Sequence, residues 1–589
     1  MRIKDALANI HKQHADDTLI KLTTTWGEHL DKENIWQEYP RPQMQREHYQ
    51  MLHGEWDYAI VSRDAEGEFE SQGKILVPFS PETLLSGVER QLKPSEYLWY
   101  ERKLDFTQEE CERKNKGERC ILHFDAVDQC ATVYANGEEV VTHSGGYLPF
   151  EVDITEYVAT TCILQVRVED VSDTSYYSRG KQTLKRGGMF YTAQSGIWQN
   201  VWYEWVPKNY VKKLKITPDY DAASVKIEFE SDGMFEILNV ELDDKEAKYE
   251  VIRSGNELVI QFMNGVFKSW SPEEPNLYYF TITADADKIQ SYFAMRSFSV
   301  EKDGKGIPRF CLNHKPYFLN GLLDQGYWPD GLMTAPCDEA FVYDIELAKK
   351  TGFNMIRKHI KIEPLRWYFH CDRLGMIVWQ DMVNGGTKYN MPFVCYLPTV
   401  LPSIRIRDNK YRMLACKEEE GRKAWVEECK ATIEHLYNAP SISTWVPFNE
   451  AWGQFDAAQV AENVKKQDLT RTIDHASGWF DQKAGDFRSV HNYFRKLKVE
   501  KDEKRAFVIS EYGGYACHVS DHSSVERIFG YKKFDSVEAI SEAYKKLYEE
   551  EVRPLIEEGL SGVVYTQLSD IEEEVNGLVT YDRKVVKIK

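Results

Sequence analysis

Two glutamates stand out by their positions. Glu450 closes the apolar run SISTWVPF with Asn449 directly before it, and Glu511 follows the apolar run AFVIS. A carboxylate that ends a buried run is carried to the rim of a core, where reactive groups can converge. Two carboxylates at close range are the minimum equipment for glycoside hydrolysis: one donates a proton to the leaving oxygen, and the other attacks the sugar or activates water. A single carboxylate in such a place is often a helix cap or an ion-pair partner, but the pair beside Asn449 reads as a site. Other polar residues end neighbouring runs in the same way: Arg357 and His359, Asp381, Asp474 and His475, His491, Asn492 and Tyr493, and Tyr565 and Gln567. A histidine so placed is as often a structural hydrogen-bonding group as a site residue. A metal site would need several of these to converge with carboxylates; no metal and no cofactor is expected. Trp479 and Tyr565 fit either a sugar-stacking platform or ordinary packing.

The elements that must hold these residues begin at about residue 301. Eight apolar runs alternate with amphipathic helical stretches: YFLNGLL, FNMIRKH, MIVWQD, SISTWVPFNE, TRTIDHAS, FRSVHNY, AFVISEY and GVVYTQL. Alternation of this kind predicts a parallel sheet, and eight units in 301–589 match a (β/α)8 TIM barrel, whose reactive residues sit at the C-terminal strand ends. The fourth and seventh runs then face one another across the barrel mouth. An open doubly wound sheet is the alternative, but it wants a Gly-rich phosphate turn after its first strand, and NGLLDQGYW is not one. Helices are expected over DEAFVYDIELAKKTG and EPLRWYFHCDRLG, with left-handed caps at Gly352 and Gly375 and Pro364 near the start of the second.

Upstream the pattern is all β, so the fold class is multidomain. Residues 45–205 alternate apolar and polar residues in short runs, with Asn136-Gly137 as a hairpin turn, and predict a β-sandwich of jelly-roll type. Residues 206–300 hold six or seven short strands, including VKKLKITPDY, FEILNVEL and SYFAMRSFSV, the count of an immunoglobulin-like β-sandwich. Residues 1–44 are mostly polar and read as an arm laid across another domain.

The net charge of −20 makes a nucleic-acid partner a poor fit. No window approaches the length of a membrane span and MRIKDALANIHKQHADD lacks an apolar leader core, so the chain reads as soluble and non-exported. The 11 scattered cysteines, with no CxxC pair, read as reduced thiols of a cytoplasmic protein. A homo-oligomer is compatible with the sequence and not specified by it.

The motifs resemble those of glycoside hydrolase family 2, which includes β-galactosidases, β-glucuronidases and β-mannosidases. SISTWVPFNEAWG is similar to the family's acid/base segment and FVISEYGGY to its nucleophile segment. LHGEWDY, VYANGEEV followed by HSGGYLPFEVDIT, and SGIWQNVWYEW resemble its jelly-roll signatures; WSPEEPNLYYF and FAMRSFSV resemble those of its sandwich; GFNMIRKHIKIEPLRWYFHCDRLGMIVWQD resembles the second-to-third-strand stretch of its barrel. The resemblance implies Glu450 as general acid/base, Glu511 as nucleophile, Asn449 as the hydrogen-bonding partner of the sugar 2-hydroxyl, Tyr493 beside the nucleophile, Arg357 near it and His359 near a substrate-binding histidine. With Asp381, Trp479 and Tyr565 these make the expected substrate-binding set, and the expected partner is an oligosaccharide or glycoside. The resemblance also implies carboxyl groups about 5–5.5 Å apart and retention of configuration, with Glu450 raised in pKa by Glu511 and by partial burial.

Three departures bear on the sugar. Family members often carry Trp where GVVYTQLSD has Tyr565. β-Glucuronidases carry an Asn-x-Lys pair for the uronate carboxylate, where EEVNGLVTYDR puts Glu574 and Asn576. Phe190 falls where some β-galactosidases and β-glucuronidases place an aspartate. A second carboxylate would repel a uronate, so a neutral, β-galactoside-like terminal sugar is expected, with a uronide or arabinoside as the alternative. A non-catalytic carbohydrate-binding protein is the reading outside the enzyme class.

Overall fold

The computed structural model describes residues 18–65, 69–401 and 404–589. The first part of the expected arm, and the stretch read for a leader segment, lie outside the described residues. Residues 18–44 thread over the other units. Thr24 donates from its backbone N–H and its hydroxyl to Asp330 at 2.8 and 2.7 Å, and Gln43 donates to the carbonyls of Tyr292 and Asn438 at 3.1 and 2.9 Å.

The first sandwich packs a four-stranded antiparallel sheet, which includes Arg119–Phe124 and Val201–Val206, on a six-stranded one, which includes Gly54–Ser62, Glu96–Asp105 and Thr161–Glu169. Alternation decides the inward face: Cys162, Leu164, Val166 and Val168 of one strand are all buried against Leu98, Tyr100 and Leu122. Asn136 and Gly137 both take positive φ, 50° and 82°, the twist-matched hairpin turn expected between Cys130–Ala135 and Glu138–Ser144.

The second sandwich has four strands facing three. Its strand Tyr249–Ser254 escapes the sequence reading because most of its side chains are exposed and carry no apolar alternation. The expected single run SYFAMRSFSV is corrected to two. Its first half ends the sandwich strand Asp287–Phe293, and its second half lies in Phe298–Lys302, which pairs with Pro308–Leu312. That hairpin plugs the bottom of the barrel: Phe298, Phe310 and Leu312 pack with Met355, Trp379, Phe487 and Val508.

All eight expected runs form parallel barrel strands: β1 (Leu319–Asp324), β2 (Met355–Lys358), β3 (Ile377–Asp381), β4 (Ile442–Val446), β5 (Thr472–Ile473), β6 (Phe487–Asn492), β7 (Ala506–Gly513) and β8 (Leu560–Thr566). The order β5-β4-β3-β2-β1-β8-β7-β6 is continuous, so the ring is open only at the seam between the two-residue β5 and β6. The helix Leu365–Leu374 ends on Gly375 at φ 73°. Any Cβ there would meet the Pro272 carbonyl oxygen of the second sandwich at 2.6 Å, so glycine serves both the cap and the domain contact.

One contact carries the first sandwich to the barrel mouth. After β8, three consecutive glutamates grip the loop that follows residue 180. Glu572 accepts from the Thr192 N–H at 3.1 Å, Glu573 from Arg186 at 2.7 Å and from the Gly188 N–H at 2.6 Å, and Glu574 from the Tyr191 hydroxyl. These are charge-assisted bonds within buried surroundings, where they are strongest. No helix among the described residues is long and apolar enough to cross a membrane.

Candidate active site

The mouth of the barrel is organised by Arg357, at the end of β2 and with no exposed surface. Its guanidinium donates to both oxygens of Asp381 at 2.9 and 3.0 Å, to Asn449 Oδ1 at 2.9 Å, to the Ser510 carbonyl at 3.1 Å and to Glu511 Oε1 at 3.2 Å. One planar fork thus fixes residues from three other strand ends. The neighbouring carboxylates raise its pKa against the effect of burial. The Asn449 oxygen is committed to Arg357, which aims its NH2 group away from the guanidinium. His359 sets Nδ1 2.8 Å from Asp381 Oδ2, and burial, with Lys181 and Arg357 adding to it, holds its pKa well below the usual value.

The two glutamates come together. Glu450 follows β4 at φ 50°, and Ala451 follows at φ 62°. Two successive left-handed non-glycine residues are strained backbone, of the kind found at working sites. The Glu450 N–H donates to the Ser477 carbonyl at 2.9 Å. His491, at the end of β6, stands between the carboxylates, with Nδ1 2.8 Å from Glu450 Oε1 and 3.5 Å from Glu511 Oε2. Ligand-type atoms of Glu450, His491 and Glu511 all lie within 4.8 Å of one another, the one group among the described residues with the spacing to share an ion. One imidazole nitrogen at hydrogen-bonding distance from Glu450 is the geometry of a bridging ring rather than of ligands spread around a cation.

The electrostatics separate the two carboxyls. Burial pushes Glu450 up to about 7, opposed by the charges of Lys181 and Arg357 and helped by that of Glu574. The expected push from Glu511 is felt in the other direction: Glu511 is raised by burial and by Glu450, and lowered by His491, Arg357 and the Tyr493 hydrogen bond. Tyr493 donates its hydroxyl to Glu511 Oε2 and stacks on Tyr531 at 3.9 Å between ring centroids. Burial pushes His491 down to about 4, so its ring is neutral near pH 7. Burial thus raises both carboxyls, and the positive charges and hydrogen bonds that oppose it fall more heavily on Glu511, an asymmetry that suits Glu450 to hold a proton and Glu511 to attack.

Trp479 lies edge-on to His491 at 5.2 Å and lines, with Glu450, Tyr493 and Tyr531, a cleft of about 510 Å³. Tyr565 is corrected. It is fully buried and packs edge-on against Tyr512 and Tyr544 at 5.6 and 4.8 Å, between barrel and helix, away from the mouth. The next residue, Thr566, takes the inward place, with Oγ1 3.2 Å from the Tyr493 hydroxyl. His475 is a structural partner of Asp481 at 3.2 Å and of the Gln482 N–H at 3.1 Å. Burial lifts Asp474 to about 6. Tyr531 and Thr566 belong to the cluster without having been singled out, and His491, marked only as one of several polar strand ends, stands at its centre. Lys181 carries no sequence signal at all, since it lies on a sandwich loop. It is 7% exposed, has no carboxylate within ion-pair distance among the described residues, and sets Nζ 5.7 Å from the ring centres of Tyr191 and Trp452.

Family models for glycosyl hydrolases family 2 match the chain twice: the sugar binding domain over residues 89–205 and the TIM barrel domain over residues 306–584. A β-galactosidase of Thermoanaerobacter pseudethanolicus is 23% identical over 72% of this chain and 56% of its own length. A putative β-glucuronidase of Formosa agariphila is 25% identical over 68% of this chain and 49% of its own. The chain therefore spans about half the length of these curated relatives. Among solved structures, a β-D-glucuronidase from Dictyoglomus thermophilum superposes with a TM-score of 0.71 at 18% identity, covering 93% of this chain and 97% of that one. A family 2 β-galacturonidase from Eisenbergiella tayi bound to galacturonate gives 0.66 at 17%, covering 93% and 96%.

The carboxyl of Glu450 is neutral below its pKa and charged above it. Burial lifts Glu82, Glu428 and Glu572 to about 7 as well, so in carbon-13 NMR of carboxyl-labelled glutamates Glu450 is identified as the resonance that titrates near pH 7 and vanishes in Glu450→Gln. A Glu450 resonance titrating at the ordinary glutamate value of about 4.3 would contradict the assignment of a proton to this residue.

Proposed function

The chain belongs to glycosyl hydrolase family 2, and we propose that it is a retaining exo-β-glycosidase acting on a terminal neutral sugar of β-galactoside type, with Glu511 as nucleophile and Glu450 as general acid/base. The observation that carries this reading is the pair itself: carboxylate oxygens within 4.8 Å, one group protonated up to about 7 and the other held by Arg357 and Tyr493. That separation suits direct attack; an inverting pair stands about 6.5–9.5 Å apart to admit a water.

In the proposed cycle a Glu511 oxygen attacks the anomeric carbon as the glycosidic oxygen leaves with the Glu450 proton. Water then attacks from the opposite side, giving its proton to Glu450 and releasing Glu511 and the β-sugar. Asn449 donates its amide to the sugar 2-hydroxyl. Arg357 and Tyr493 keep Glu511 ionised and oriented until the bond forms. Asp381 and His359 hold the sugar side of the mouth, and Trp479 stacks on the leaving-group side. The gripped sandwich loop, which brings Tyr191 and Lys181 beside Trp452, supports a site closed beyond the terminal sugar. A 2-deoxy-2-fluoro galactoside slows the second step and should leave a covalent adduct. Peptide mass mapping should find it on Glu511; a label on any other residue overturns the assignment.

The choice of a neutral sugar rests on Glu574. Its carboxylate accepts from Tyr191 and, at 3.0 Å, from Asn576, and it occupies the sequence position of the β-glucuronidase clamp, where a second carboxylate would repel a uronate. A second reading, hydrolysis of a β-uronide, is favoured by Lys181, since a buried ammonium without a counter-ion is costly and suited to a ligand carboxylate. On a nitrophenyl glycoside panel the neutral reading expects kcat/KM for the galactoside to exceed that for the glucuronide and galacturonide by at least about tenfold, roughly 1.4 kcal/mol. The reverse order, abolished in Lys181→Met while galactoside hydrolysis persists, would establish the uronide reading in its place.

A further inference from the structure

We propose that the leaving-group side of the site is built for an acidic saccharide, one that carries carboxylate or sulfate groups on the sugars beyond the scissile bond. The inference rests on the assignment of Glu450 as the acid, because it is that assignment which makes the cleft opening beside Glu450 the leaving-group side.

The cleft of about 510 Å³ has the size of a ligand site and a carbohydrate lining, with Trp479, Phe480, Tyr493 and Phe494 in its wall. Its charge is opposite to that of the molecule. In a chain of net charge −20 the cleft is lined by Arg405, Arg488, Arg495, Lys496 and Lys498. Apart from Glu450, its only lining acids among the described residues are Asp481 and Glu500, and both are already engaged. Asp481 is held by Arg505 at 2.7 and 2.9 Å and by His475 at 3.2 Å, and Glu500 by Arg488 at 2.5 Å. Lys496 and Lys498 form no ion pair among the described residues.

The cationic loop is positioned rather than merely exposed. It follows β6 directly, so its place is fixed by the strand that delivers His491. Leu497 is 5% exposed and its N–H donates to Glu551 at 2.9 Å, which pins the loop between the two lysines. Arg495 is tied across the cleft by a 2.9 Å bond to the Val400 carbonyl. A positive cleft on a negative molecule concentrates anions locally while the whole-molecule field repels them. A neutral leaving group would gain nothing from it. An acidic one gains charge-assisted hydrogen bonds near the acid that must protonate its oxygen.

The test is binding, which does not depend on turnover. Isothermal titration of the Glu511→Gln variant with galactosyl-digalacturonate, neutral at its non-reducing end, and with neutral galactotriose should show the acidic trisaccharide binding at least about tenfold tighter, a factor that shrinks as salt shortens the screening length. Arg495→Gln/Lys496→Gln/Lys498→Gln in the same background should lose that factor. The same three changes in the otherwise unaltered enzyme should leave nitrophenyl galactoside hydrolysis within about twofold. A galactotriose sulfated only on its two reducing-end sugars, run alongside, separates the two anions: tighter binding than galactosyl-digalacturonate assigns the cleft to sulfate, and weaker binding assigns it to carboxylate. Equal affinity for acidic and neutral probes, or an acidic preference that survives the triple change, overturns the proposal. A lack of glycoside hydrolysis would instead count against the enzymatic reading and leave this measurement standing.

Discussion

The site depends on one buried guanidinium. Arg357 has no exposed surface, and all its bonds run to groups at other strand ends: Asp381 on β3, Asn449 after β4, and Ser510 and Glu511 on β7. A cation buried this deeply is tolerated only when its donors are satisfied and its charge is balanced. Asp381 meets the first need with two bonds, and Glu511 supplies the remaining negative charge. The same requirement opposes the upward push of burial on Glu511, together with His491 and Tyr493, and it turns the Asn449 amide outward. Glu450 lies off this fork and receives no hydrogen bond from it, so burial takes over and raises it to about 7. Both carboxyls feel the Arg357 charge, but Glu511 alone also takes a hydrogen bond from it and another from Tyr493, and it has His491 against it as well.

The second constraint is the grip of Glu572, Glu573 and Glu574 on the sandwich loop. These acids look like a surface charge run in the sequence, yet each is spent on a different group of another domain. Through them the first sandwich stops being a neighbour of the barrel and becomes a wall of its mouth, with Tyr191 and Lys181 beside Trp452. The gripping residue Glu574 is also the one whose charge helps to raise Glu450. Domain attachment and site electrostatics are thus set by the same side chain.

Much of this was legible in the sequence because it is periodic. Eight apolar runs gave eight strands, and polar residues at their ends gave Arg357, Asp381, Asn449, Glu450, Tyr493 and Glu511 at the mouth. The failures have equally specific causes. Tyr565 and Thr566 are adjacent, and in a strand adjacent side chains point to opposite faces, so an error of one residue exchanges a core tyrosine for a site threonine. SYFAMRSFSV carries apolar residues on both sides of the break between Phe293 and Phe298, and the polar Arg296 and Ser297 inside it read equally well as part of one continuous strand. Lys181 and the gripping glutamates lie on loops, where no period operates and only the assembled domains reveal what is opposite.

The proposed division of roles between Glu450 and Glu511 is tested most directly by azide with the two alanine variants. On a dinitrophenyl galactoside, Glu450→Ala should still form the glycosyl-enzyme, because the leaving group needs no proton, and azide should then release β-galactosyl azide. Glu511→Ala should yield α-galactosyl azide, formed by direct attack from the vacated face. The opposite pairing of products would contradict the assignment of the two residues.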